Sequence, residues 1–291
     1  MNKEAFLRQI KKQMSFLPDY SVGEEKLLVQ QTLGLSKESL FLLQEIADKD
    51  AKKVQKYLSK RLNGEPLNKI FKSQNFYGYD FYVNDNVLAP RKETEILVEE
   101  TLRRIKKLNA PKVLDLCCGS GAIGIAISKQ YACDVTLSDI SSKALYVARK
   151  NAKKLQLKPK FMQKDMLEGN KNLYDIIVCN PPYIKSDDIL SLDKGVRDFD
   201  PYIALDGGKT GVVFYEYLAK NVRKNLEKEG YVTRERSKED ERVTIVGITK
   251  KGNELKDKCK DIPFKVASAS VAMSEKETKE LYRLLYKFLE S

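Results

Sequence analysis

The strongest chemical suggestion in the chain comes from four consecutive residues, Asn180-Pro181-Pro182-Tyr183, which directly follow the apolar run Ile176-Ile177-Val178-Cys179. The prolines fix φ and force a rigid extended turn, so the Asn180 side chain and nearby carbonyls are held facing a cleft at a strand end. This arrangement suits transfer of a methyl group to a planar nitrogen. An amide nitrogen is a poor nucleophile because its lone pair is delocalised, but two acceptors can aim it. The Asn180 side-chain oxygen and the Pro181 carbonyl can take both N–H bonds while Tyr183 stacks on the planar group, so catalysis is mostly positioning and the extra proton leaves to solvent afterwards. An exocyclic amine of adenine or cytosine fits the same turn. The chain contains no histidine, which excludes hydrolase mechanisms built on an imidazole base.

A second constellation reads as a nucleotide-type site. Asp115-Leu116-Cys117-Cys118-Gly119-Ser120-Gly121 joins the apolar segment Lys112 to Leu116 to a helix pattern from Ala122 to Lys129. Glycines there let backbone N–H groups and the positive end of the helix approach a ligand. Asp139 ends the next strand, where its carboxylate can accept from ribose hydroxyls, or else cap the following helix. Asp165 and Met166 end the third strand and could flank an adenine, although Met166 would also serve as ordinary core filling. Asp115 could steer the loop or, through water, the amino acid part of a cofactor. Read as closing at Gly121, with one residue between its glycines, the motif fits S-adenosyl-L-methionine better than a dinucleotide. No metal is expected.

These residues need a scaffold, and the periodicity supplies one. Short apolar strands at Lys112–Leu116, Asp134–Ser138, Lys160–Gln163 and Asp175–Cys179 alternate with amphipathic helices, which predicts an α/β fold with a parallel sheet covered on both faces. A helix from about Gly211 to Glu229 and a fifth strand from Tyr231 follow. Upstream, helix-like patterns such as Leu27, Leu28, Gln31 and Leu35 predict a small helical bundle, ended by Asn63-Gly64-Glu65-Pro66. Phe76 to Val83 reads as a hairpin and Lys92 to Asn109 as a helix. The expected domains are therefore a helical bundle at 1–65, a hairpin and linking helix at 66–110, an α/β domain at 111–230 that carries both constellations, and an atypical tail at 231–291.

Composition narrows the setting. With 291 residues and 42% hydrophobic content, the chain can bury a sizeable core. Its longest apolar runs are too short to cross a bilayer, and its start lacks a signal-peptide pattern, so a cytoplasmic protein with no membrane partner is expected. The net charge of +12 would favour a nucleic-acid partner, but lysine is spread along the chain without interleaved aromatics, which reads as a solvated surface. Five cysteines without a C-x-x-C pair read as free thiols.

Taken together, the chain resembles the release factor glutamine methyltransferase family, the HemK type, over roughly residues 1–229. Beyond the two site motifs, the likeness rests on Pro66-Leu67, Phe76-Tyr77-Gly78, Leu88-Ala89-Pro90-Arg91-Lys92-Glu93-Thr94-Glu95, Asp200-Pro201 and Ala204-Leu205-Asp206-Gly207-Gly208. The resemblance implies a Rossmann-like class I methyltransferase fold, S-adenosyl-L-methionine as cofactor, and a peptide chain release factor as protein substrate, engaged in part by the helical domain. It places Cys117 to Gly121, Asp139 and Met166 on the cofactor and Asn180 to Tyr183 on the substrate. A nucleic acid is not the expected direct substrate, although a nucleic-acid amino methyltransferase stands as the alternative.

The tail departs from this pattern. Asp240-Glu241-Arg242 and Ile248-Thr249-Lys250-Lys251-Gly252 resemble the wing of MarR-type transcription regulators, and Glu275 to Glu290 resembles their last helix. A junction is expected near Leu226 to Tyr231, giving an atypical C-terminal hairpin-plus-helix and, as a further alternative, a catalytically impaired fusion with a partial DNA-binding segment.

Overall fold

A computed structural model describes residues 1–106, 108–170, 172–218 and 221, and the backbone of 232–236 and 244–248. Five helices come first: α1 (Lys3–Met14), α2 (Glu24–Leu33), α3 (Lys37–Leu42), α4 (Asp48–Leu62) and α5 (Leu67–Phe71). Asn2 caps α1 by accepting from the Ala5 N–H at 3.1 Å, and Phe6, Ile10 and Met14 recur one turn apart on its buried face. They pack with Leu28 and Val29 of α2 and with Val54 and Leu58 of α4. The same cluster takes in Leu67 and Ile70, so the helical core continues past the Asn63-Gly64 break through the short helix α5. Arg61, 1% exposed, donates to Glu24 at 2.6 Å and to Asp19 at 2.8 Å, tying the loop before α2 to α4.

The hairpin is present as β1 (Ser73–Phe76) and β2 (Tyr79–Tyr82), turning at Tyr77-Gly78, both with positive φ. A 3-10 turn at Lys92–Thr94 leads into α6 (Glu95–Ile105), shorter than the pattern to Asn109 suggests. Strands β3 (Lys112–Leu116), β4 (Asp134–Asp139), β5 (Lys160–Gln163) and β6 (Ile176–Cys179) then alternate with α7 (Ala122–Gln130) and α8 (Ser142–Lys154). They form one parallel sheet in the order β5-β4-β3-β6. The four strands match their sequence-based positions within a residue at each end.

Side chains alternate across this sheet. Val113, Val135, Leu137 and Val178 face a layer made by α6, α7, α8 and the hairpin. Leu114, Leu116, Ile177 and Cys179 face the opposite way, against Phe214, Tyr217 and Leu218. Residues 213–218 and 221 are helical; the rest of the expected helix to Glu229 lies outside the described residues. A short helix, α9 (Lys194–Arg197), follows β6.

The strand expected from Tyr231 is found as β7 (Val232–Arg236), but it pairs antiparallel with β8 (Thr244–Ile248) in a separate two-stranded sheet. The hairpin expected in the C-terminal segment is thus present, in a sheet separate from the parallel one. The wing residues Asp240 to Arg242 and Thr249 to Gly252 and the helix expected at Glu275–Glu290 lie outside the described residues. Among the described residues, no helix is long and apolar enough to cross a membrane.

Candidate functional site

The strand order reverses between β3 and β6, and a cavity of about 300 Å³ opens at the carboxyl ends of the sheet beside that switch. Its floor is Leu116 to Ser120 after β3, Asp139 to Ser141 after β4, Lys164 to Met166 after β5, and Asn180 and Pro182 after β6. The facing wall comes from two segments outside the sheet: Asn86 to Leu88 with Pro90, and Pro201, Ile203 and Ala204. Eight of the ten expected cofactor residues line this one cavity, namely Cys117, Cys118, Gly119, Ser120, Asp139, Asp165, Met166 and Asn180. Asp115 and Gly121 stand behind it.

The loop geometry explains its residues. Cys117 (φ 56°), Gly119 (φ 53°) and Gly121 (φ 77°) all adopt left-handed backbone, which turns the chain from β3 into α7. For Cys117 this is a strained conformation, and Met166 (φ 47°) shares it; their sulfurs meet at 3.5 Å in the cavity wall. Open space surrounds the Cβ position of Gly119, whereas at Gly121 a methyl would press on Ile125, Leu137 and Ala148 at 3.0–3.1 Å.

Asp139 is the pin of this loop. Its carboxylate accepts from the Gly119 N–H at 2.8 Å and the Ser141 N–H at 2.9 Å. Helix α8 itself is capped by Ser141, so Asp139 braces the glycine loop as well as the turn into α8. Burial raises its pKa, against the backbone N–H groups that lower it. A carboxylate can accept more than two bonds, which leaves capacity for a ligand.

Asp115 is wholly buried, and its Oδ2 accepts from the Gly124 N–H at 2.8 Å. Burial pushes its pKa up to about 7, the Gly124 bond opposes this, and Asp139 adds to it. Its Oδ1 and the Ser138 Oγ are buried without a hydrogen-bond partner among the described residues.

Gly124 extends the glycine motif beyond the expected end at Gly121. The motif does not close at Gly121; it runs on to a third glycine in the G-x-G-x-x-G spacing. There a Cβ would lie 2.4 Å from Leu137 and 3.0 Å from Asp115, so only glycine lets α7 pack this closely. Glycine spacing alone therefore does not separate a sulfonium cofactor from a dinucleotide.

At the β6 end, Pro181 is buried and Asn180 and Tyr183 are half-buried. Pro181 and Tyr183 stand outside the cavity lining, although Asn180 and Pro182 belong to it. Behind the turn, Ile184 bridges to Asp206: its N–H donates to the Leu205 carbonyl at 3.1 Å, and its own carbonyl accepts from Gly207 at 2.7 Å. A Cβ on Gly207 would sit 2.7 Å from Tyr183 Cα, and one on Gly211 2.7 Å from the Tyr183 carbonyl oxygen. Two glycines thus form a backbone clamp on the turn. Burial pushes the Tyr183 phenol pKa up, Arg91 draws it down and Glu93 raises it. Burial likewise raises that of Tyr215, with Cys179 and Tyr183 adding to the effect.

Comparison with known proteins bears on this arrangement. A family model described as methyltransferase small domain matches residues 92–193. A release factor glutamine methyltransferase of Clostridium acetobutylicum is 39% identical over 214 residues, covering 69% of this chain and 74% of that protein. One from Clostridium botulinum is 36% identical, covering 69% and 75%. One from Agrobacterium fabrum is 33% identical, covering 72% and 75%. A second model, transcriptional regulator SarA/Rot, matches residues 208–259, so the regulator-like segment begins upstream of the expected junction.

Proposed function

The chain belongs to the release factor glutamine methyltransferase family and is an S-adenosyl-L-methionine-dependent methyltransferase, and we propose that it methylates the side-chain amide nitrogen of the Gly-Gly-Gln glutamine in peptide chain release factors. The observation that carries the site assignment is the meeting of the Gly119 loop, Asp139, Met166 and Asn180 around one cavity. The cofactor supplies an electrophilic methyl group on a sulfonium sulfur.

Its fit is supported by the donor set. A carboxylate at Asp139 suits ribose hydroxyls, and Met166 and Ile140 offer apolar surface to a purine. Cys117, Cys118, Gly119, Ser120 and Gly121 would shape the loop around it, with Asp165 beside the base. Asn180 would accept one amide N–H of the substrate and the Pro181 carbonyl the other, with Pro182 holding the turn extended and Tyr183 stacking on the amide plane. Neither acceptor changes charge during transfer, so the residues act by orientation.

The four domains stand as part of the same reading: a substrate-engaging helical unit at 1–65, a linking segment at 66–110, the methyltransferase domain at 111–230, and a regulator-like tail at 231–291. Incubation of the protein with label-bearing cofactor and either a release factor or duplex DNA tests the substrate. Label on the release factor is expected. Label on DNA would favour the nucleic-acid amino methyltransferase reading instead.

A further inference from the structure

Lys69 sits on α5 at the edge of the helical unit, yet it is 4% exposed, an unusual place for an ammonium group. Its hydrogen bonds go to the Asn84 carbonyl at 3.0 Å and the Val87 carbonyl at 2.9 Å. Its charge faces Asp200 Oδ1 at 2.8 Å, in an ion pair whose two side chains are each 2% exposed. The other oxygen of Asp200 accepts from Arg91 at 3.0 Å. These partners fix both walls opposite the sheet, because Asn86 to Leu88 adjoin the two carbonyls and Pro201 follows Asp200.

Arg91 is placed differently from Lys69. Its side chain stays 44% exposed although one terminal nitrogen is bound, and its charge reaches Tyr183 in the substrate turn. An arginine and a carboxylate left to themselves prefer a two-point pair, with two parallel N–H bonds. Here Lys69 pairs with Oδ1, and Arg91 reaches Oδ2 alone. The guanidinium is anchored through one terminal nitrogen at Oδ2, and its other N–H donors remain on a partly exposed side chain.

Building on the family reading, we propose that Lys69 and Asp200 are positioning residues that hold Arg91 end-on at the substrate entrance, where its guanidinium takes a backbone carbonyl of the polypeptide substrate beside the reacting amide. Glu93, the acidic group that also acts on Tyr183, is exposed and solvated, so it competes weakly for the guanidinium.

A double-mutant cycle on the 291-residue chain separates this role from a structural one. Arg91→Ala is expected to raise KM for a purified release factor about 10- to 100-fold, the loss of a charge-assisted hydrogen bond, with cofactor affinity retained. Lys69→Met lets Arg91 collapse onto both oxygens of Asp200. It should raise KM comparably in the parent but by less than about twofold when Arg91 is already alanine. If Lys69→Met does not fold, Asp200→Asn, which weakens the anchor, takes its place in the cycle. Equal effects in both backgrounds, or an unchanged KM for Arg91→Ala, would overturn the proposal. Absence of methyl transfer to the release factor by the parent protein would instead refute the family reading on which it rests.

Discussion

Asn180 sits in a turn with buried Pro181 on one side and the Gly207 and Gly211 clamp behind Tyr183. Replacing it by alanine removes an acceptor that acts on orientation, so Asn180→Ala should cut methyl transfer at least ~100-fold while cofactor affinity stays within a few-fold. Near-normal turnover would remove the assigned role. Asp139→Ala takes away a carboxylate and frees the Gly119 N–H it braces; isothermal calorimetry should show cofactor affinity reduced by about tenfold or more, and an unchanged affinity would contradict its assignment. Asp115 makes a pH prediction. Its pKa rises from 3.8 to about 7 on folding, so between those values the folded chain keeps a proton that the unfolded chain has lost. Stability from this group is complete below that window and declines as pH rises through it. Asp115→Asn keeps an acceptor for the Gly124 N–H and never ionises. Its melting temperature should therefore fall less than the parent's between about pH 4.5 and about pH 8, and parallel pH profiles would argue against a buried, proton-retaining Asp115. The residue types at these positions were legible because chemistry restricts them. What the sequence did not reveal was their backbone: the left-handed Cys117 and Met166 carry no glycine signal.

At the scale of elements, the strands were read from apolar runs bounded by polar residues, and the helix layers from their periodicity. The facing walls of the cavity were not readable that way, because they are loops fixed by distant partners. Arg91 and Asp200 are 109 residues apart, and neither the pair nor the burial of Lys69 leaves a local pattern. Gly124 does leave one, the G-x-G-x-x-G spacing that it completes with Gly119 and Gly121. Gly207 is a different case, since its φ is not positive and its need is for space alone. Alanine there would meet the Tyr183 backbone at 2.7–2.8 Å, and backbone cannot swing aside as a side-chain tip can. Gly207→Ala should displace the Asn-Pro-Pro-Tyr turn and reduce transfer by ~10-fold or more, with a stability loss of about 1–3 kcal/mol from overpacking. Parent-like activity would show that the clamp does not set the turn.

For the whole molecule, the division is between a sheet that carries the site and a C-terminal segment of another kind. Phe214 lines the cavity, and Tyr217 and Leu218 cover the face made by Leu114 and Leu116, so the chain through residue 218 serves the sheet even where the regulator-type model already matches. Beyond it, β7 and β8 pair with each other as the hairpin expected of the C-terminal segment. The methyltransferase identity rests on residues upstream of that change, and its central claim is a single modified atom. Mass spectrometry of a release factor after incubation with S-adenosyl-L-methionine and this protein locates that atom most directly. One added methyl group on the side chain of the Gly-Gly-Gln glutamine, formed at least ~100-fold more slowly when Asn180 is alanine, is the predicted result. A release factor left unmodified by active, cofactor-binding protein, or a methyl group on any other residue, would contradict the account.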